Sequence, residues 1–130
     1  MNKFKVFIVK TYQPDADSVA TMKSFEGKPV TFETVDSLFG VNEVDKEEGW
    51  YGVLYDNEVI KDELLEALEQ FFTLSKADVL VAFKKEKSGR LTKCPRFFRS
   101  HIDLDVGCLA PEDKAVVHEI ILNGVIEENA

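Results

Sequence analysis

Gly49-Trp50-Tyr51-Gly52-Val53-Leu54-Tyr55-Asp56-Asn57-Glu58-Val59-Ile60, running into Lys61-Asp62-Glu63-Leu64-Leu65-Glu66-Ala67-Leu68, is the stretch around which the chain is organised. Trp50 to Tyr55 is apolar and rich in β-formers, which predicts a buried strand. The strand stops at two carboxylates, Asp56 and Glu58, and strong helix formers follow almost at once. Two readings of this acidic pair stay open from spacing alone. A turn explains it, since Asp and Asn favour turns and acids suit a first helical turn. A D-x-E pair can also hold a hard divalent cation, and open α/β sheets place ligands at the carboxyl ends of buried strands.

Outward from that stretch, Lys5 to Val9 reads as a first strand, apolar on both faces and so central. Thr11-Tyr12-Gln13-Pro14-Asp15 is a loop, after which Asp15 or Asp17 can cap a short helix carrying Val19, Met22 and Phe25, with Gly27 at its end. Pro29 to Val35 alternates apolar and polar residues and predicts a second strand, and Val41 to Glu48 a polar loop with a short helix. The spacing of Leu64, Leu65, Leu68, Phe71 and Phe72 predicts an amphipathic helix over 62–74. Ala77 to Phe83 is a fourth strand, 84–93 a hairpin tip around Ser88-Gly89, and Arg96 to Ile102 a further strand. Pro111 opens a predicted last helix carrying Val116, Val117, Ile120 and Ile121, which closes at Asn123-Gly124 before a frayed tail, 127–130. This order predicts one domain over residues 1–130, an α/β three-layer sandwich with a mixed, mainly parallel sheet and helices on both faces.

The 130 residues, 45% apolar and 31% charged, suit a globular core. No apolar run approaches the roughly 18–20 residues of a membrane span, and the N-terminus lacks a signal-peptide pattern. With Cys94 and Cys108 outside any CxxC or Cys/His spacing, two free thiols and a cytoplasmic location are expected. Basic residues cluster over 84–99 and acidic ones over 33–69. The net charge of −8 argues against nucleic acid as a partner, although Phe97 and Phe98 interleave with Arg96 and Arg99. His101 and His118, the two imidazoles, stand in no triad context. An exposed apolar face on the Trp50–Tyr55 strand or the last helix would suit a homodimer.

Four segments together resemble the nucleotide-binding half of inverting family-2 glycosyltransferases, the GT-A fold. They are Thr11-Tyr12-Gln13-Pro14 after the first strand, Val35-Asp36-Ser37 after the second, the Gly49–Ile60 stretch with its D-x-D-like Asp56-Asn57-Glu58, and Ala77-Asp78-Val79-Leu80-Val81 followed by Pro95-Arg96-Phe97-Phe98-Arg99. The resemblance covers roughly residues 3–105. It implies Mn²⁺ or Mg²⁺ held by Asp56 and Glu58 against the diphosphate of a UDP- or GDP-linked sugar, where a cation stabilises the leaving charge. It implies that Asp36 contacts ribose or base, that Thr11 and Tyr12 line the nucleotide pocket, and that Arg96 and Arg99 meet phosphate or acceptor. The acceptor-binding half and its catalytic base have no counterpart past residue 105. Glu112, Asp113 and Glu119 suit a surface helix. A second reading is therefore a non-catalytic member serving as a binding or interaction module.

Overall fold

The computed structural model describes residues 4–14 and 16–128. The expected cap at Asp15, the first three residues and the last two of the expected tail lie outside them. In chain order the elements are β1 (Phe4–Val9), α1 (Ser18–Lys23), β2 (Val30–Val35), α2 (Leu38–Glu43), β3 (Trp50–Tyr55), β4 (Glu58–Ile60), α3 (Asp62–Leu74), β5 (Val79–Lys85), β6 (Leu91–Arg99), β7 (His118–Ile120) and β8 (Ile126–Glu128).

The first half follows the sequence closely. β1 pairs in parallel with β2 from Phe4↔Val30 to Val9↔Val35, and with β3 from Lys5↔Tyr51 to Val9↔Tyr55. As the middle strand of three it is apolar on both faces: Val6 and Ile8 enter one buried cluster, Phe7 and Val9 the other. Asp17 caps α1, its Oδ1 accepting the amides of Val19 (3.0 Å) and Ala20 (3.3 Å). Asp17→Ala removes that acceptor and is expected to lower stability by about 1 kcal/mol in a urea titration, by the usual worth of an N-cap. An unchanged midpoint would show that α1 is held by packing alone.

The second half departs from the parallel plan. β6 inserts antiparallel between β3 (Trp50↔Arg99) and β5 (Val79↔Phe98). β5 and β6 are joined by the expected hairpin, closed by the Glu86 amide on the Arg90 carbonyl at 2.9 Å, with Gly89 at φ +89°. The other edge of β5 carries β7 along Val79–Val81 and β8 along Lys84–Lys85, both parallel. β8 then pairs antiparallel with β4, which follows β3 through the two-residue turn Asp56-Asn57. The strand order β2-β1-β3-β6-β5-β8-β4 thus bends back on itself, and the eight strands curl into a half-barrel.

The predicted three-layer sandwich, mainly parallel with helices on both faces, is therefore not the fold. The sheet is curled, and antiparallel pairs join β3, β6, β5 and then β8 and β4. α3 lays Leu64, Leu65, Leu68 and Phe72 on one side, against Phe4, Leu80 and Phe97. On the other side Val41 of the six-residue α2 packs with Tyr51, Phe98, Ile102 and Leu104, and the irregular segment after β6 completes the cover. The predicted last helix is absent as well: Pro111 forms an isolated bridge with Leu104, and the segment after it gives β7 and β8. Val116-Val117, Ile120-Ile121 and Val125-Ile126 are β-branched pairs, and the free edge of β5 offers them backbone partners that a surface helix would not use. Glu127 and Glu128 accordingly belong to β8 rather than to a frayed tail.

Candidate functional site

β1 and β3 are parallel neighbours, yet the chain leaves β1 towards β2 on one side and leaves β3 towards the opposite side of the sheet. In open α/β sheets such a reversal marks where ligands bind, beyond the carboxyl ends of the two strands. Thr11 and Asp56 meet there: the Thr11 hydroxyl and amide donate to Asp56 Oδ1 at 2.6 and 3.1 Å. The Asp56 amide donates to the Val9 carbonyl at 3.1 Å and its carbonyl accepts from the Asp17 amide at 2.8 Å, so the turn is tied to β1 and to the start of α1.

Tyr12 adopts φ +59°, the left-handed region that a residue with a Cβ enters only at a cost. That backbone projects its side chain outwards, 74% exposed, with the hydroxyl donating to Asp36 Oδ1 at 2.9 Å. Lys10 Nζ stands 3.4 Å from the same oxygen. The hydrogen bond with Asp36 raises the Tyr12 phenol above its ordinary pKa, and the donors Tyr12 and Lys10 hold the Asp36 carboxyl below its own. Asn57 is buried next to Asp56 in the same turn. Its Nδ2 donates to Gln13 Oε1 at 3.4 Å, while its Oδ1 has no hydrogen-bond partner among the described residues. Thr11, Tyr12 and Asp36, expected at a nucleotide pocket, and Asp56, expected at a metal, are brought to one end of the sheet.

Glu58 goes elsewhere. It opens β4 and turns into the curl of the sheet, wholly buried. Arg96 of β6, 2% exposed, grips it with two parallel bonds, Nη1 to Oε1 at 2.5 Å and Nη2 to Oε2 at 2.7 Å. Lys84 Nζ of β5 lies 2.8 Å from Oε2 and 3.7 Å from Glu128 of β8, and the Tyr55 amide donates to Oε1 at 2.7 Å. Arg96 also reaches the Val53 carbonyl at 3.3 Å, with its guanidinium carbon 5.4 Å from the centre of the Tyr55 ring. Burial pushes the Glu58 carboxyl up, but the charge and hydrogen bonds of Arg96, with Lys84 behind them, outweigh it and hold the group below the ordinary carboxylate range. Burial would likewise lower the Arg96 pKa, and Glu58 more than reverses this. The neighbouring Cys94 thiol is raised by its burial.

Asp56 and Glu58 do not fit the expected Mn²⁺ or Mg²⁺ site. Both Glu58 oxygens already face cationic side chains, so a metal ion there would have to displace Arg96 and Lys84 from a buried carboxylate. Asp56 offers an oxygen engaged twice by Thr11. Among the described residues no three His, Cys, Asp or Glu side chains form a cation-binding group.

Arg99 is also away from the carboxyl ends of β1 and β3. It donates to the carbonyls of Ala77 (2.9 Å) and Ser75 (2.7 Å) and stacks over Trp50 at 4.4 Å, securing the C-terminal end of α3. The expected set therefore divides: four residues at one end of the sheet, Glu58 and Arg96 in a buried ion pair, and Arg99 on the helix end. Glu112 and Asp113 lie in the irregular segment after β6 and Glu119 on β7, not on a helix. Lys84, Glu128 and Asn57 were not singled out from the sequence. For Lys84 and Glu128 the available signal was a charge at the end of a β-rich run, which needs a counter-charge if buried; Asn57 gave none.

Compared with models of known protein families and with curated proteins, the chain matches none. Among the described residues no helix is long and apolar enough to cross a membrane. β3 is covered along its length, so it presents no apolar dimer face.

Proposed function

We propose that this chain is a non-catalytic binding module that holds a hydroxyl-rich small molecule, a nucleoside or the sugar of a UDP- or GDP-sugar, without a metal ion at the carboxyl ends of β1 and β3. One observation carries the reading: two carboxylates, Asp36 and Asp56, stand at that end of the sheet beside the exposed Tyr12. Asp36 is the more open of the two, its side chain 77% exposed. Ribose and sugar hydroxyls are donors and would complete such a set. A diphosphate is acceptor-only and would need cations. Lys10 already faces Asp36, and Arg96 and Arg99 are committed elsewhere. The exposed Tyr12 ring offers a face on which a base or sugar ring can lie.

Thermal unfolding with uridine, guanosine, UDP-glucose and GDP-mannose tests this, each run with Mn²⁺ and with EDTA. A ligand at about 100 times its Kd is expected to add ~2.7 kcal/mol, equally in both buffers. Replacing the exposed pair, Tyr12→Ala with Asp36→Ala, is expected to weaken binding at least about tenfold, or ~1.4 kcal/mol. No stabilisation by any of the four sinks the reading. Stabilisation seen only with Mn²⁺ returns the site to a metal-dependent one, and sugar transfer to an added acceptor would make the chain an enzyme.

A further inference from the structure

We infer that the outer edge of β7 is a docking strand for an extended, basic segment of another protein. β7 is exposed at all three of its residues, and among the described residues its only strand partner is β5. The Val117 carbonyl accepts from Val79 (3.1 Å) and the Ile121 amide donates to Val81 (2.9 Å). Backbone groups alternate in direction along a strand, so those of His118 and Ile120 point away from β5. Among the described residues no strand pairs with them on that side, and such edge donors and acceptors are what a partner strand adds to. Natural edges are usually blunted by charge, proline or cover. Here Ile120 and Leu122 are 42% and 78% exposed, and Leu74 at the end of α3 is 75% exposed.

The charge beside this edge identifies the occupant. An open cleft of about 540 Å³ adjoins the start of β7, lined by Asp78, Asp103, Glu112 and Asp113 with His101 as its one basic group. It meets the chain just before β7: Val116 lines it, and the Val117 amide donates to Asp78 Oδ2 at 3.2 Å on the β5 side. The nearest lysine in sequence, Lys114, is turned to the Pro111 carbonyl (2.9 Å) and Asp105 (3.5 Å). A segment whose apolar residues meet Ile120 and Leu122 and whose Lys or Arg residues reach the cleft complements both parts. A second copy of this chain, at net charge −8, brings the wrong overall sign.

The probe is a fluorescein-labelled ten-residue peptide of alternating Lys and Val, with binding followed by anisotropy. It is expected to bind, with affinity falling as salt rises. A Glu-Val peptide and a fully backbone-N-methylated Lys-Val peptide are each expected to bind at least about tenfold more weakly to the wild-type protein. Ile120→Pro, which removes an outward amide and no bond to β5, is expected to give a similar loss. Equal binding of the N-methylated peptide would rule out strand addition, and equal binding of the Glu-Val peptide would rule out the charge match. No binding of the Lys-Val peptide overturns the inference, as does a concentration-dependent dimer that Ile120→Pro abolishes, which assigns the edge to a second copy.

Discussion

Arg96→Met is expected to lower the stability of this protein by about 3–5 kcal/mol at neutral pH, the usual cost of stranding one partner of a buried ion pair. Glu58 is wholly buried, and its guanidinium partner supplies two of the bonds that satisfy it. Met fills the aliphatic volume but leaves the carboxylate to Lys84, whose ammonium is shared with Glu128. The loss also depends on pH in a defined direction. The folded-state pKa of Glu58 is depressed below its unfolded value. Its stabilising contribution is therefore full above the unfolded pKa, about 4.3 for Glu, and is lost as pH falls through the folded value. Wild type loses this contribution in acid and the variant has little of it to lose, so the gap between their urea midpoints is expected to narrow below about pH 4. Adding Glu58→Leu to Arg96→Met removes both charges and is expected to recover most of the deficit. A single-variant loss under about 1 kcal/mol would mean that water reaches Glu58 and that the pair is not a buried one.

Gly124→Ala should cost about 3 kcal/mol or more, combining left-handed backbone strain with overpacking. Gly124 links β7 to β8 at φ +75°. A Cβ there would stand 2.5 Å from the Leu64 amide nitrogen and 3.1 Å from Glu63 backbone and side-chain carbons, at the start of α3. Those atoms belong to a helix whose Leu64, Leu65, Leu68 and Phe72 are core, so they cannot retreat without loosening it. The same loop is pinned by the Lys61 amide on the Val125 carbonyl at 3.1 Å. Gly89→Ala is the control: φ is +89° but nothing lies within 4 Å, so strain alone remains and the expected loss is about 1 kcal/mol. Equal midpoints for the two variants in urea would show that the Gly124 loop yields freely.

How much was legible in the sequence follows from the range of each interaction. α3 came out as expected over Asp62–Leu74, because its apolar spacing is a local property of one segment. β1, β3 and the 86–90 hairpin turn were equally readable from runs of β-formers and a Ser-Gly tip. β7 and β8 were not. Val117 and Ile121 are four apart, which fits a helical period and a strand period alike, and only the open edge of β5 decides between them. The mainly parallel order failed for a similar reason: nothing local to Arg96–Arg99 says that β6 folds back between β3 and β5.

The opening stretch shows the division most clearly. By itself the sequence determined a buried strand at Trp50–Tyr55 and an acidic turn after it, since the strand's position is dictated by its own apolar residues. Only the tertiary structure decided that Asp56 and Glu58 part company. Glu58 is answered by Arg96, 38 residues away in the chain, and by Lys84 and Glu128 from two further strands. A buried carboxylate takes whichever cation the fold brings to it, and that choice is made by the curl of the sheet rather than by the spacing of the two acids.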